Sequence, residues 1–144
     1  MTSASACEPG TTVLVVEDDV LTRIAVAEYL RDCGLRVIEA SGGVEGRTVL
    51  REGPEIDVLF ADARLAGDDN GFALASWARR HRPSLMVILS AGLSRKSEAA
   101  AQLCSRKQTS PLPASHLRER IEGMRVRHGR RIPNVRRKPR AAYR

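Results

Sequence analysis

Ile56-Asp57-Val58-Leu59-Phe60-Ala61-Asp62-Ala63-Arg64-Leu65-Ala66-Gly67-Asp68-Asp69-Asn70-Gly71 is the stretch that decides the fold. An apolar run closes on a single carboxylate, Asp62, and then breaks into a loop of Gly, Asp and Asn. A short apolar run bounded by turn residues reads as a buried strand, here Ile56 to Ala61. In an open parallel sheet, ligand chemistry gathers just beyond the carboxyl ends of the strands. Asp62 is therefore predicted at the mouth of a sheet, where a carboxylate can meet a metal ion or accept a phosphoryl group.

Outward from that stretch, strand and helix patterns alternate. A helix from about Gly71 to His81 follows the loop, with Phe72, Leu74, Ala75 and Ala78 facing inward. Leu85 to Ser90 is apolar on both faces, as a central strand is. Upstream, the β-branched run Thr12 to Val16 is a strand that ends in three acids, Glu17-Asp18-Asp19. Asp19 suits the N-cap of a helix reaching about Cys33, with Ile24, Ala27 and Leu30 inside and Gly34 as its stop. Leu35 to Ala40 reads as an edge strand and Val44 to Glu52 as a helix ended by Gly53-Pro54. Ser97 to Cys104 is a weakly patterned helix, and Pro113 to Met124 is the last one. A fifth strand belongs on Arg106-Lys107-Gln108-Thr109-Ser110, although that run is polar. The expected fold is α/β, a flavodoxin-like (βα)5 doubly wound parallel sheet in strand order 2-1-3-4-5.

The 144 residues have room for one domain with a core. Charge divides them further: residues 1–122 hold 15 Lys/Arg and 17 Asp/Glu, whereas residues 123–144 hold 9 Lys/Arg and no acid. The basic character thus belongs to a tail and not to the domain. Residues 1–10 are small and polar and are expected to be disordered, residues 11–124 form the domain, and residues 125–144 are expected to form a disordered basic tail. Cys7, Cys33 and Cys104 are odd in number and follow no metal or redox spacing, which predicts unpaired thiols in a reducing, cytoplasmic compartment. No apolar run approaches a signal-peptide core or a membrane span.

In the expected order the first, third and fourth strands are neighbours, and their carboxyl ends bring together Glu17, Asp18, Asp62 and Ser90. Carboxylates packed side by side repel one another unless a cation stands between them. Oxygen ligands in this number suit a small hard dication, Mg²⁺. Such an ion would screen an incoming phosphoryl group and leave Asp62 to attack it. The Ser90 hydroxyl could hydrogen-bond a phosphoryl oxygen, with small Ala91 leaving it room.

Val13 to Asp19, Leu59 to Leu65 and Val87 to Gly92, in that order and spacing, resemble the receiver domain of two-component response regulators. The likeness spans roughly residues 11 to 124. It implies that Asp62 is the phosphoacceptor and that Glu17 and Asp18 are the acidic pair supporting Mg²⁺. It further implies that the backbone carbonyl of Arg64 is another metal ligand and that Ser90 senses the phosphoryl group. The partner it implies is a histidine kinase or a phosphotransfer protein, with the signal passed on to an unidentified downstream protein.

This sequence also departs from the family pattern. Receivers usually carry Lys-Pro after the fifth strand, and the Lys contacts the phosphoryl group; Ser110-Pro111 stands there instead. Lys107 lies three residues early, and Ala66 stands where the loop usually has Pro. The reading is a single-domain response regulator, not an enzyme beyond Mg²⁺-dependent phosphorylation and dephosphorylation of itself. The alternatives are a degenerate receiver binding its partner without phosphorylation, or a regulator that binds nucleic acid through its tail. Receivers commonly pair beside strand five, which leaves a homodimer open. Asp68, Asp69 and Asn70 read as turn residues, and Tyr29 and Trp77 as partly exposed.

Overall fold

The computed structural model describes residues 10–105 and 113–131. Four parallel strands, β1 (Thr12–Val16), β2 (Arg36–Ala40), β3 (Val58–Asp62) and β4 (Met86–Ser90), form one sheet in the order β2-β1-β3-β4. The helices are α1 (Val20–Asp32), α2 (Gly43–Glu52), α3 (Gly71–His81), α4 (Leu93–Ser105) and α5 (Ala114–Arg131). This is the flavodoxin-like parallel sheet that the alternation predicts. The expected fifth strand, Arg106 to Ser110, lies outside the described residues, and β4 ends the described sheet; its residues Met86 to Leu89 are half-buried.

Two cores follow from the period of two along each strand. On one face Val13, Val15, Val58 and Phe60 pack under α1, α4 and α5, through Val26, Leu30, Leu103, Leu117 and Ile121. On the other, Leu14, Val16, Leu59 and Ala61 pack under α2 and α3, through Leu50, Leu74 and Trp77. A right-handed crossover leading onward from β4 would put α4 on the α2/α3 face, because parallel crossovers are right-handed in nearly all cases. Instead α4 packs beside α1 and α5. This placement decides what reaches the carboxylate cleft.

Local chemistry sets the element boundaries. Asp19 caps α1, its carboxylate accepting from the Thr22 N–H at 3.0 Å. Asn70 caps α3 in the same way, accepting from the Ala73 N–H at 2.9 Å. Gly71 opens α3 so close to the strand end that a Cβ there would run into the Asp62 carbonyl and the Ala63 Cα. Gly92, at φ +86°, turns the chain from β4 into α4 in a conformation that side chains disfavour.

Several expectations are corrected. Cys33 and Cys104 are joined in a disulfide across 71 positions, so these two are not unpaired thiols, and Cys7 lies outside the described residues. The bond depends on α1 and α4 meeting on one face, which no local spacing reveals. The cysteines therefore no longer argue for a reducing compartment. Tyr29 and Trp77 are buried, because each is large enough to close the gap between its helix and the sheet. Ile24 and Phe72, expected inside, are 38% and 63% exposed; both lie in the N-terminal halves of their helices, off the stripes that Ala27 and Leu30, and Leu74 and Ala78, turn to the sheet. The last helix does not stop at Met124 but runs to Arg131, and Arg125 donates to Thr22 Oγ1 at 2.8 Å and to Asp19 Oδ2 at 3.2 Å.

Candidate functional site

The strand register brings the site together. Val16 pairs with Ala61 and Asp62 with Ser90, so Glu17, Asp62 and Ser90 stand level at the carboxyl end of the sheet. They border an open cleft of about 400 Å³ whose lining includes Glu17, Asp18, Asp62, Arg64 and Lys96. Asp62 is half-buried, with Oδ1 accepting from the Arg64 N–H at 2.8 Å. Asp18 is exposed at the rim and accepts from the Ala66 N–H at 3.2 Å. Glu17 is buried, accepting from the Asp19 N–H at 3.0 Å. The Ser90 hydroxyl is buried and has no hydrogen-bond partner among the described residues.

The residue that sequence reading missed is Lys96. Its side chain is buried, and its ammonium bridges Glu17 Oε1 and Asp62 Oδ2, the latter at 2.7 Å. Lys96 lies in the first turn of α4, its N–H bonded to the Gly92 carbonyl at 3.1 Å. The helix was expected to begin at Ser97, which would have left Lys96 in a loop. The available signal was the stripe Lys96, Ala100, Leu103 at helical spacing, which puts a lysine on the inner face just after Ser90. A lysine so placed needs a carboxylate partner.

The two acids respond differently to one cation. For Glu17, burial pushes the carboxyl up from its ordinary value, and the Lys96 hydrogen bond and charge offset only part of that. For Asp62, burial also works upward, but the Lys96 hydrogen bond, the Arg64 N–H and the Lys96 charge outweigh it and hold the carboxyl below the ordinary aspartate value. Two neighbouring carboxylates with divergent proton affinities are a common preparation for chemistry. Asp62 is the one whose charged form the surroundings favour.

The oxygen donors suit a hard dication in kind. Among the described residues, however, no three acidic, His or Cys side chains are grouped to hold a metal by themselves, and Lys96 already stands between Glu17 and Asp62. Lys96 thus occupies one oxygen of each of these two carboxylates, while Asp18 and Arg64 line the same cleft.

The profile of the response regulator receiver domain matches residues 13–107. The chain belongs to this family. A receiver protein from Pseudomonas putida is 28% identical, with a TM-score of 0.54, over 66% of this chain and 79% of that one. The non-phosphorylated HemR receiver domain from Leptospira biflexa is 25% identical, with a TM-score of 0.52, over 65% and 75% of the two chains. A cyclic di-GMP phosphodiesterase from Thermotoga maritima is 38% identical over 78 residues, which is 54% of this chain and 20% of that protein. The likeness thus spans about a fifth of that relative's length. No described helix of this receiver is long and apolar enough to cross a membrane.

Proposed function

We propose that this receiver takes a phosphoryl group onto Asp62 from a phosphohistidine of a histidine kinase or phosphotransfer protein, and signals by protein contact. One observation carries the reading: the Asp62 carboxylate stands at the cleft, paired in register with a buried Ser90 hydroxyl that has no hydrogen-bond partner among the described residues. An unsatisfied buried hydroxyl costs stability and persists where something else is meant to use it. A phosphoryl oxygen on Asp62 would supply its acceptor.

In the transfer, a carboxylate oxygen of Asp62 forms a bond to phosphorus as the P–N bond of phosphohistidine breaks. The imidazole leaves with the electron pair and binds a proton from water. The Arg64 N–H holds Oδ1 and fixes the plane of the attacking carboxylate. Mg²⁺, held by Asp18, Asp62 and the Arg64 carbonyl, would neutralise charge on the phosphoryl oxygens. Receivers are generally not enzymes beyond this self-directed chemistry.

Incubation with acetyl phosphate and Mg²⁺, followed by acid-labile phosphate analysis and peptide mapping, tests the reading. Label is expected on Asp62, absent from Asp62→Asn and abolished by EDTA. Label elsewhere, or none from either acetyl phosphate or a phosphohistidine donor, overturns it.

A further inference from the structure

The cation that receivers place after strand five is missing from this sequence, where Ser110 occupies the position. The cleft nevertheless contains an ammonium. We propose that Lys96, from the first turn of α4, is the phosphoryl-binding cation of this receiver, so that sensing and readout are both moved onto the segment Ser90 to Ala100. The proposal rests on Asp62 being the phosphoacceptor and goes beyond it by naming a catalytic residue and the helix that moves.

Three observations carry it. Lys96 donates to Oδ2 of Asp62, the oxygen not held by the Arg64 N–H, and therefore touches the reacting group itself. It also lines the cleft that a phosphoryl group on Asp62 must occupy. Finally, α4 lies on the α1/α5 face and not on the α2/α3 face, which brings a first-turn side chain to the end of β1 and β3. The Cys33–Cys104 disulfide ties the far end of the same helix to the end of α1.

A purely structural ion pair would use the same contacts in the resting state, but it would not change partners. A phosphoryl group on Asp62 replaces one negative charge by nearly two and puts three strong acceptor oxygens in the cleft. The Lys96 ammonium then has a stronger acceptor than Glu17. Ser90 lies six positions earlier on the same segment, so hydroxyl and ammonium close on the phosphoryl group together and draw the first turn of α4 inward. Glu17, relieved of Lys96, becomes available to the metal.

The test uses beryllofluoride with Mg²⁺ as the phosphoryl mimic, read by ¹⁹F NMR, on the full chain and on Lys96→Ala, Lys96→Arg, Lys107→Ala and Asp62→Asn. Wild type and Lys107→Ala are expected to bind alike and Asp62→Asn not at all. Lys96→Ala should weaken binding about tenfold or more, the scale of one lost charge-assisted hydrogen bond, with Lys96→Arg in between. Equal binding by Lys96→Ala, or the loss appearing in Lys107→Ala instead, overturns the proposal while leaving Asp62 as acceptor. Failure of the wild type to bind beryllofluoride or take acetyl phosphate sinks the phosphoacceptor reading itself. Should Lys96→Ala not fold, the ¹⁵Nζ resonance of Lys96 in the wild type decides. It is expected to shift on beryllofluoride binding, together with the amides of Leu93 to Ala100, and an unmoved Lys96 signal refutes the role.

Discussion

The ammonium of Lys96 lies 2.7 Å from Oδ2 of Asp62, although 34 positions separate a residue on the first turn of α4 from one at the end of β3. With Glu17 on its other side, this contact joins a helix and two strands through one buried positive charge. Its strength depends on all three partners being present. Breaking a buried pair by removing one member is costly, because the remaining charge is left uncompensated.

Lys96→Met should therefore destabilise the fold by about 3 kcal/mol at pH 7.5. The loss should shrink toward pH 5. Without Lys96, both Glu17 and Asp62 lose the largest influence that opposes burial, so their folded-state proton affinities rise above those of the wild type. An acid raised in this way destabilises the folded state above its folded pKa and ceases to do so once protonated. Urea denaturation at the two pH values checks the sign. A deficit that grows on acidification contradicts the assignment.

Ser90→Ala should behave in the opposite way. The hydroxyl is buried and unpartnered among the described residues, so its removal relieves an unmet hydrogen bond and leaves the volume nearly unchanged. A stability gain of up to about 1 kcal/mol is expected from the desolvation released. The same substitution should blunt the response of α4 to beryllofluoride. Thermal melts of the resting protein measure the first effect and amide shifts the second. A clear loss of resting stability would mean that the hydroxyl has a partner.

Reducing the Cys33–Cys104 bond should lower stability by as much as about 4 kcal/mol in the chain-entropy picture. The bond closes a loop across 71 positions, which makes the unfolded chain gain many conformations when it opens. Of the three cysteines in the sequence, one should react with a thiol reagent in the denatured protein before reduction and three after it. Three reactive thiols before reduction would remove the cross-link from the account.

What the sequence made legible were features set by neighbours along the chain. The β-branched run Thr12 to Val16, the apolar run into Asp62 and the caps Asp19 and Asn70 each act within a few residues, and the four described strands, the starts of α1 and α3 and the meeting of Glu17, Asp62 and Ser90 followed from them. The face chosen by α4 was not legible, since its short alanine-rich stripe fits either side of the sheet. Lys96 and the disulfide were hidden for that same reason, as both depend on α4 meeting α1. Tyr29 and Trp77 were misjudged because the depth of an aromatic ring depends on how far its helix stands from the sheet, and not on helical register.

Asp19 gives the last prediction, because it serves α1 and α5 at once. Its carboxylate caps α1 through the Thr22 N–H and also receives Arg125, which lies on the part of α5 beyond the expected end of the helix. Burial works to raise its proton affinity, but the Thr22 hydroxyl and N–H and the Arg125 guanidinium outweigh it and set the carboxyl below its ordinary value. A lowered folded pKa means stability that is fully present above the ordinary aspartate value and is lost as pH falls through the folded one. Asp19→Ala should cost about 1 kcal/mol at pH 6, the usual scale of a lost N-cap. The difference from wild type should shrink as pH falls through the folded value, where the wild-type carboxyl is protonated too. Arg125→Ala should reproduce only a small part of the loss, since its exposed pair is screened by water. Chemical denaturation across that pH range measures all three, and a difference independent of pH would assign the effect of Asp19 to packing and not to charge.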